Sequence, residues 1–255
     1  MAKNRKRKFG NIILDSMPDN GHLPFLDQLE CTEVSIREVL QKPDMPIDAV
    51  YFPVSCVFSA VATADHSSVE VATMGHEGMV GVSVFLGHPE TTITIFSQIA
   101  GDCWRCAVEP FQDLLDSSDW INRVLHRYTQ CLMVQISQSV VCNAQHQIQQ
   151  RCARWLLMTA DRVRANDFLL TQSFLAQMLG VRRASVTDAA GELQRQGLLR
   201  YSRGAVSILD REGLEEASCE CYAKVTSEYT RFAKDIRNNV SEAVLAVSSR
   251  MKVLR

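Results

Sequence analysis

Apolar and small residues between Thr171 and Leu193 recur with the spacing of two short helices that cross at a tight turn. The inner face of the first helix would contain Leu175, Ala176 and Leu179, and that of the second Val186, Ala189 and Ala190. Gly180 falls at the turn, where a close crossing suits a residue with positive φ. The pattern predicts a helix-turn-helix. The alternative is an ordinary helical hairpin with a solvated basic end.

The segments on either side of this pair predict a winged module. Upstream, residues 147–163 carry apolar residues at helical spacing, namely Ile148, Ala153, Leu156, Leu157 and Ala160. Downstream, two short apolar runs between Leu198 and Leu209 meet at Ser202-Arg203-Gly204, which is typical of a β-hairpin. A helix led by Asp210 follows. We therefore predict a winged helix-turn-helix domain over residues 144–214.

The amino-terminal half has the pattern of short strands. Val, Ile, Phe, Thr and Ser recur in runs such as AVYFPVSCVFSAVA, SSVEVATM and TTITIFSQIA, which Gly, Pro or polar residues separate. Strands spaced in this way predict a small antiparallel barrel or roll. We place the roll at residues 26–117, after a basic tail and lead-in at residues 1–25.

A single long helix is predicted between roll and module, over residues 118–143, because no Gly or Pro interrupts this segment. Its apolar residues recur near a seven-residue rhythm, and so narrow a stripe suits the same helix of a twofold-related copy. The sequence thus predicts a homodimer whose seam contains Leu125, Tyr128, Leu132, Gln135 and Ser139. Alternatively, the stripe packs only on its own roll.

Residues 215–255 are predicted to form an amphipathic helical extension. Apolar residues recur there every three or four positions: Val225, Tyr229, Phe232, Ile236, Val240, Val244, Val247 and Met251. This stripe must be buried against the same protomer, its partner copy or another protein.

Charge is unevenly distributed along the chain. The formal net charge of the whole chain is −2, but nine Arg and only four acids between Arg151 and Gly204 leave +5 on that segment. Guanidinium groups can contact phosphate and guanine bidentately. We therefore predict double-stranded DNA as a partner, with contacts from Thr171, Gln172, Ser173, Arg182, Arg183, Ala184, Ser185, Thr187, Asp188 and the wing residue Arg203.

The order of β-roll, long helix and winged helix-turn-helix resembles the Crp/Fnr family of transcription regulators. The resemblance covers roughly Leu26 to Leu214 and is carried mainly by LTQSFLAQMLGVRRASVTDAAGELQRQGLLRYSRGAVSIL, with weaker support from VATMGHEGMVGVSVFLG. It implies an α+β protein with a cyclic-nucleotide-binding-like roll at Leu26–Phe111, a long dimerisation helix and a carboxy-terminal winged helix-turn-helix. It further implies a dimer that binds specific DNA sequences.

The roll departs from the family members that bind a cyclic nucleotide. Those members hold the phosphate with a Gly-Glu-Leu turn and, about ten residues later, an Arg; here the turn reads Gly81-Val82-Ser83 and the Arg position falls in Glu90-Thr91-Thr92. No Lys or Arg occurs between Pro43 and Trp104. Burying a phosphate there without a cation would cost several kcal/mol. We infer that the roll does not use cyclic nucleotides; whether it binds a neutral effector or none stays open.

The second helix also departs from the family pattern. Arg183 matches the family position that pairs with guanine, whereas Ala184 stands where many members have an acid and could contact only a thymine methyl group. Asp188 could accept from cytosine N4 or cap its neighbours. Arg182 occupies the N-cap position without a side-chain acceptor, so we predict that it contacts phosphate.

Nine cysteines raise the question of a metal or redox site. Only Cys31 lies near the amino terminus, so grouped ligands for an iron–sulfur cluster are missing there. Cys103 and Cys106 would point to opposite faces of a strand, and Cys219 and Cys221 to divergent faces of a helix. We therefore expect no metal and no cofactor, and buried thiols that stay reduced.

Two classes of function remain. The first is a homodimeric transcription regulator that binds a palindromic operator. The second is a regulatory module whose carboxy-terminal helices bind a protein partner, with DNA binding secondary. An enzyme is not expected, because no nucleophile elbow, metal-ligand spacing or phosphate loop occurs. Without a signal peptide or a membrane-spanning stretch, we expect a cytoplasmic protein.

Overall fold

A computed structural model describes residues 8–18, 22–64 and 67–253, although the side chains of residue 67 and residues 238–253 lie outside that description. The amino-terminal half contains seven strands: β1 (Glu30–Val34), β2 (Val39–Gln41), β3 (Ala49–Pro53), β4 (Val57–Ala64), β5 (Ser67–Met74), β6 (Thr94–Ile99) and β7 (Gly101–Ala107). They form two antiparallel sheets, ordered β1-β7-β3 and β2-β6-β4-β5. The predicted antiparallel roll is confirmed.

The helices of the amino-terminal half precede, interrupt and follow the strands of this roll. They are α1 (Ile12–Asp15), α2 (Leu23–Leu26), α3 (Val82–Phe85), α4 (Val108–Ser117) and α5 (Asp119–Gln145). Ser118 caps α5, since its hydroxyl accepts from the Ile121 backbone N–H at 3.4 Å. The long helix is therefore confirmed, and it extends two residues further than predicted.

Residues 9–17, which the sequence analysis placed in the tail and lead-in, pack into the core. Phe9, Ile13 and Leu14 are buried in one apolar cluster with α4 and α5. The Asn11 side-chain amide donates to the carbonyl oxygens of Pro53 (2.9 Å) and Gly78 (2.8 Å). These two bonds anchor the segment to the roll. The basic residues 1–7 lie outside the described residues.

The face of α5 that was predicted to bind a second copy is buried in its own chain. Leu125, Tyr128, Gln135 and Ser139 are each less than 9% exposed, and Leu132 is half-buried. The Tyr128 hydroxyl donates to the Met79 carbonyl oxygen at 2.9 Å, and the Gln135 side chain donates to the Thr73 carbonyl oxygen at 3.1 Å. The predicted seam is therefore wrong, because the roll covers this stripe, as the alternative interpretation allowed.

The carboxy-terminal half consists of α6 (Ile148–Val163), β8 (Asp167–Leu169), α7 (Gln172–Leu179), α8 (Arg183–Arg195), β9 (Leu199–Ser202), β10 (Ala205–Ile208), α9 (Arg211–Ala217) and α10 (Cys221–Val253). The core of the module lies between α6, α7 and α8 and continues into the three strands. The sheet order is β8-β10-β9. The sequence analysis missed β8, a strand of only three residues.

The extension is one helix, α10, that packs along α5. Its residues Val225, Phe232 and Ile236 are buried. Arg127 on α5 holds the two helices together, because its guanidinium lies 3.3 Å from the carboxylates of both Glu228 and Asp235. The remaining residues of the predicted stripe, Val240, Val244, Val247 and Met251, have side chains outside the described part. In the described residues, no helix combines the length and apolarity needed to span a bilayer.

Candidate DNA interface

The two crossing helices have the local geometry that their sequence predicts. Thr171 caps α7, since its hydroxyl accepts from the Phe174 backbone N–H at 3.2 Å. Gly180 ends this helix at φ 63°, and the following Val181 N–H returns to the Ala176 carbonyl oxygen at 3.0 Å. The predicted inner faces are all buried, namely Leu175, Ala176, Leu179, Val186, Ala189 and Ala190. The predicted helix-turn-helix is confirmed.

The start of α8 carries an exposed pair of arginines. Arg182 is its N-cap residue, in extended backbone (φ −70°, ψ 145°) and without a side-chain cap. Arg182, Arg183, Ala184, Thr187 and Asp188 are exposed, and Ser185 is half-buried. This turn of α8 thus presents two guanidinium groups and short side chains to solvent.

The start of α7 lies beside this turn of α8. The Thr187 hydroxyl is 2.9 Å from the side-chain oxygen of Gln172, its acceptor on the other helix. The predicted residues Thr171 and Ser173 flank Gln172 and are exposed. The structure therefore brings the predicted residues of both helices onto one contiguous surface.

The wing borders the same surface. Ser202 pairs with Ala205, and the two turn residues between them, Arg203 and Gly204, have φ of 50° and 80°. Two left-handed central residues define the tight hairpin turn that matches strand twist. The Gly204 carbonyl oxygen accepts from the Leu170 N–H at 2.7 Å, next to the α7 cap, and Arg203 is exposed at the tip. The predicted hairpin is confirmed, and its tip adjoins the helix-turn-helix.

The charge of this surface is smaller than the sequence count suggests. Three of the nine arginines between residues 151 and 204 are buried, namely Arg151, Arg154 and Arg162. The six exposed ones are Arg164, Arg182, Arg183, Arg195, Arg200 and Arg203. One of these, Arg195, pairs with Glu192. The sequence analysis missed Arg200 on the wing strand β9. Neighbouring side chains of a strand point to opposite faces, so an apolar Leu199 facing the core already predicts that Arg200 is exposed.

Buried Arg162 of α6 reaches the roll at residues 75–78, the turn that precedes Gly81-Val82-Ser83. Its Nε lies 2.9 Å from a Glu77 carboxylate oxygen, and its Nη2 donates to the Gln135 side-chain oxygen at 2.8 Å. The ring of Tyr229 on α10 lies 5.6 Å from the guanidinium carbon. The charge of the arginine that enters this turn is thus balanced by the chain's own carboxylate.

The junction of roll, α5 and α6 is filled by side chains. Its cavity is about 10 Å³, lined among others by Glu70, Gln135 and Trp155. The Glu70 carboxylate accepts from the Ser59 hydroxyl at 2.6 Å and from Trp155 Nε1 at 2.7 Å. Burial raises the pKa of Glu70 to about 7. The described side chains therefore fill the space between β5, α5 and α6.

Cys103 and Cys106 face different apolar clusters of the roll, as predicted for one strand. The prediction for Cys219 and Cys221 is wrong. Cys219 precedes the first turn of α10, so its side chain does not follow helical spacing, and both sulfurs converge with Cys142 in one buried cluster. His146, at the end of α5, completes a group of four residues whose side chains could hold a metal ion.

Residues 150–217 match the family model of the Crp-like helix-turn-helix domain. This part of the chain is a Crp-like helix-turn-helix domain. Among curated proteins, none matches the chain significantly. The prediction of a resemblance to the Crp/Fnr family is confirmed by this domain together with the fold described next.

Solved structures of Crp/Fnr regulators share the fold of the chain. FixK2 from Bradyrhizobium japonicum is 15% identical, with a TM-score of 0.61 over 75% of this chain and 98% of its own. A Crp/Fnr-family regulator from Thermus thermophilus is 20% identical, with a TM-score of 0.60 over 74% of this chain and 98% of its own. The c-di-GMP responsive regulator CLP from Xanthomonas campestris is 18% identical, with a TM-score of 0.60 over 74% and 99%. The chain thus combines a Crp-like helix-turn-helix match with a fold that these solved regulators share.

Proposed function

We propose that the chain is a transcription regulator that binds a specific palindromic DNA sequence as a homodimer. The observation that carries this proposal is the continuous exposed surface formed by the start of α7, the first turns of α8 and the wing tip. In winged helix-turn-helix proteins the second helix enters the major groove with its amino-terminal residues at the base edges. Here that position is taken by the exposed residues Arg183, Ala184 and Thr187.

We propose separate roles for the two adjacent arginines. Arg183, the first residue of α8, reads guanine, because a guanidinium can donate to O6 and N7 together. Arg182 lies one residue outside the helix and contacts phosphate, as do Arg203 and Arg200 on the wing. The Thr171 hydroxyl is engaged as a cap, so its contribution is to orient Gln172 and Ser173 toward the backbone.

The dimer, in this proposal, uses a face of α5 different from the one predicted. Met133, Ile136 and Val140 are 58%, 40% and 66% exposed. They lie three and four residues apart, which is the spacing of the inner positions of a two-stranded coiled coil. The occupant we propose is the same helix of a second copy, since a twofold axis along it would place two copies of α8 on two half-sites.

We propose further that the roll does not respond to a cyclic nucleotide. The roll has no Lys or Arg between Pro43 and Trp104, and Arg162, the buried cation that reaches it from α6, is already neutralised by Glu77. The same argument applies to cyclic di-GMP, to which the Xanthomonas regulator responds. This supports a regulator whose signal, if any, acts elsewhere in the chain.

The alternative function, a protein-binding module, receives less support. The first four turns of α10 bury their apolar residues Val225, Phe232 and Ile236 on the same chain, so these residues cannot also cover a partner. A regulator of this kind works where the chromosome is, so we place it in the cytoplasm.

Selection of bound sequences from random duplex DNA tests the proposed function. We expect an inverted repeat with half-sites centred about 10 base pairs apart. Fluorescence anisotropy at several salt concentrations would measure the affinity for the selected site. This affinity should fall steeply as the salt concentration rises and exceed the affinity for a scrambled duplex by about 10³-fold or more. A selection that enriches no sequence, with equal affinity for both duplexes, would contradict the proposal.

A further inference from the structure

Four side chains from distant parts of the sequence converge beside the hinge between α5 and α6. Cys142 lies in the last turn of α5, His146 directly follows that helix, and Cys219 and Cys221 lie where α9 passes into α10. Their ligand atoms all lie within 4.8 Å of one another. The Sγ atoms of Cys142 and Cys219 are 3.5 Å apart, and Cys221 Sγ is 3.6 Å from Nδ1 of His146.

These separations suit a small tetrahedral metal centre. With a Zn–S bond of about 2.3 Å, the sulfurs of a tetrahedral site lie about 3.8 Å apart, close to the shortest separations seen here. All three cysteines are nearly inaccessible to solvent. Three sulfurs and one imidazole nitrogen also form a donor set that is frequent in structural zinc sites.

We propose that Cys142, His146, Cys219 and Cys221 bind one Zn²⁺ ion in a closed Cys₃His site. The ion ties the end of α5 and the hinge to the base of α10. This goes beyond the proposed function, since none of the four ligands belongs to the DNA-facing surface.

The surroundings of His146 fit a ligand. Its Nε2 lies 3.2 Å from a carboxylate oxygen of Glu220, while its Nδ1 faces the sulfurs. Metal-bound histidines commonly donate their second ring N–H to a carboxylate, which fixes the tautomer and strengthens the ligand. Glu220 stands between two of the cysteines in the sequence, and its own side chain is 60% exposed. If the cysteines only filled an apolar core, the pairing of His146 with Glu220 would have no function there.

The charge of the surroundings fits as well. Three thiolates around a divalent ion leave one negative charge, which a buried site must compensate. Arg151 and Arg154 on α6 are 7% and 5% exposed, and the Nε atoms of both have no hydrogen-bond partner among the described residues. Both guanidinium groups interact electrostatically with the sulfur of Cys142. Without the site, these arginines would be buried cations beside neutral thiols.

Metal analysis of the purified full-length chain is the first test. Inductively coupled plasma mass spectrometry should find one zinc per chain. After removal of the zinc, Co²⁺ should produce intense near-ultraviolet thiolate-to-cobalt charge-transfer bands together with the visible bands of tetrahedral cobalt. Cys219→Ser and Cys221→Ser should lose the metal, whereas Cys31→Ser at the surface and Cys152→Ala in the core of α6 should retain it.

A substitution at an exposed residue distinguishes loss of metal binding from loss of the fold. Glu220→Gln should fold as the unmodified chain does, because Glu220 is exposed, yet bind Zn²⁺ about 10–100-fold more weakly in competition with a chelating dye. Zinc at one equivalent should also slow alkylation of the cysteines of the metal-free chain. Purified protein without metal whose thiols give no cobalt charge-transfer bands would overturn the proposal. A Cys142–Cys219 disulfide in protein isolated under reducing conditions would do so too.

Discussion

Glu77 and Arg162 form a buried ion pair, with 2.9 Å between a carboxylate oxygen and Nε, that joins the roll turn to α6. Their side chains are only 10% and 6% exposed. Since Arg162 also contacts Gln135 on α5 and the ring of Tyr229 on α10, the pair lies where the roll and three helices meet. It links the DNA-binding domain to the roll at the turn that precedes Gly81-Val82-Ser83.

Glu77→Gln should therefore destabilise the chain strongly. Removing one partner leaves a buried guanidinium uncompensated, which costs about 3–5 kcal/mol. Urea denaturation would measure the free energy of unfolding. The matched control is Glu30→Gln, because Glu30 is 3.6 Å from Arg105 in an exposed pair, and its loss should cost less than about 1 kcal/mol. An equal loss of unfolding free energy in the two variants would show that the buried pair stabilises the fold no more than the exposed pair does.

The raised pKa of Glu70 predicts a pH-dependent stability. The carboxyl group has a pKa of about 7 in the folded chain against an ordinary value of 4.5, so the folded state keeps a proton that the unfolded state releases between these values. Stability should therefore fall as pH rises through this window, by at most about 3 kcal/mol from this residue. Glu70→Gln should become more stable relative to the unmodified chain between about pH 5 and pH 8. Parallel pH profiles in urea denaturation would contradict the assignment, and exposed Glu109→Gln is the control.

Isothermal titration calorimetry with cyclic AMP or cyclic GMP should show no saturable heat. The reason is that no Lys or Arg lies between Pro43 and Trp104, and that Arg162, which reaches the roll from α6, already pairs with Glu77. Micromolar binding by the unmodified chain would contradict this prediction. The variant Glu77→Gln, where it folds, removes the carboxylate partner of Arg162. Its heat of nucleotide binding would therefore show whether this ion pair is what prevents binding.

Met133→Asp together with Val140→Asp should convert the proposed dimer into monomers that bind DNA far more weakly. Each aspartate would place a charge in an apolar helix seam at a cost of several kcal/mol, while both positions are exposed in the single chain, so its fold should survive. Sedimentation velocity would report the mass. The control is Leu86→Asp, equally exposed at 61% but on the roll. A double variant that remains dimeric would place the interface elsewhere.

Local patterns predicted most of the fold. The helix-turn-helix follows from helical spacing and one glycine, and the wing from alternation around Arg203-Gly204, because these elements depend on neighbours in sequence. The tight turn and the exposed ends of the helices then place Arg182 and Arg183 at the surface.

Contacts between distant residues could not be predicted in this way. The stripe on α5 was assigned to a partner copy because periodicity shows that a face is buried, not what buries it, and here the roll does. The cysteine cluster joins residues 77 positions apart. The only local signals were the spacing of Cys142 and His146, one helical turn apart, and the Glu between Cys219 and Cys221. Likewise, burial of three arginines reduced the surface charge that composition had suggested.

The measurement that tests sequence-specific DNA binding most directly compares Arg183→Ala and Arg182→Ala on the selected site and a scrambled duplex, over a range of salt. Arg183→Ala should lose about 1–3 kcal/mol on the selected site only and relax the preference at one base pair per half-site. Arg182→Ala should weaken both duplexes alike and reduce the salt slope by about one per subunit. Equal losses on both duplexes for Arg183→Ala would remove this residue from base readout. Unchanged binding in both variants would mean that α8 does not enter the groove.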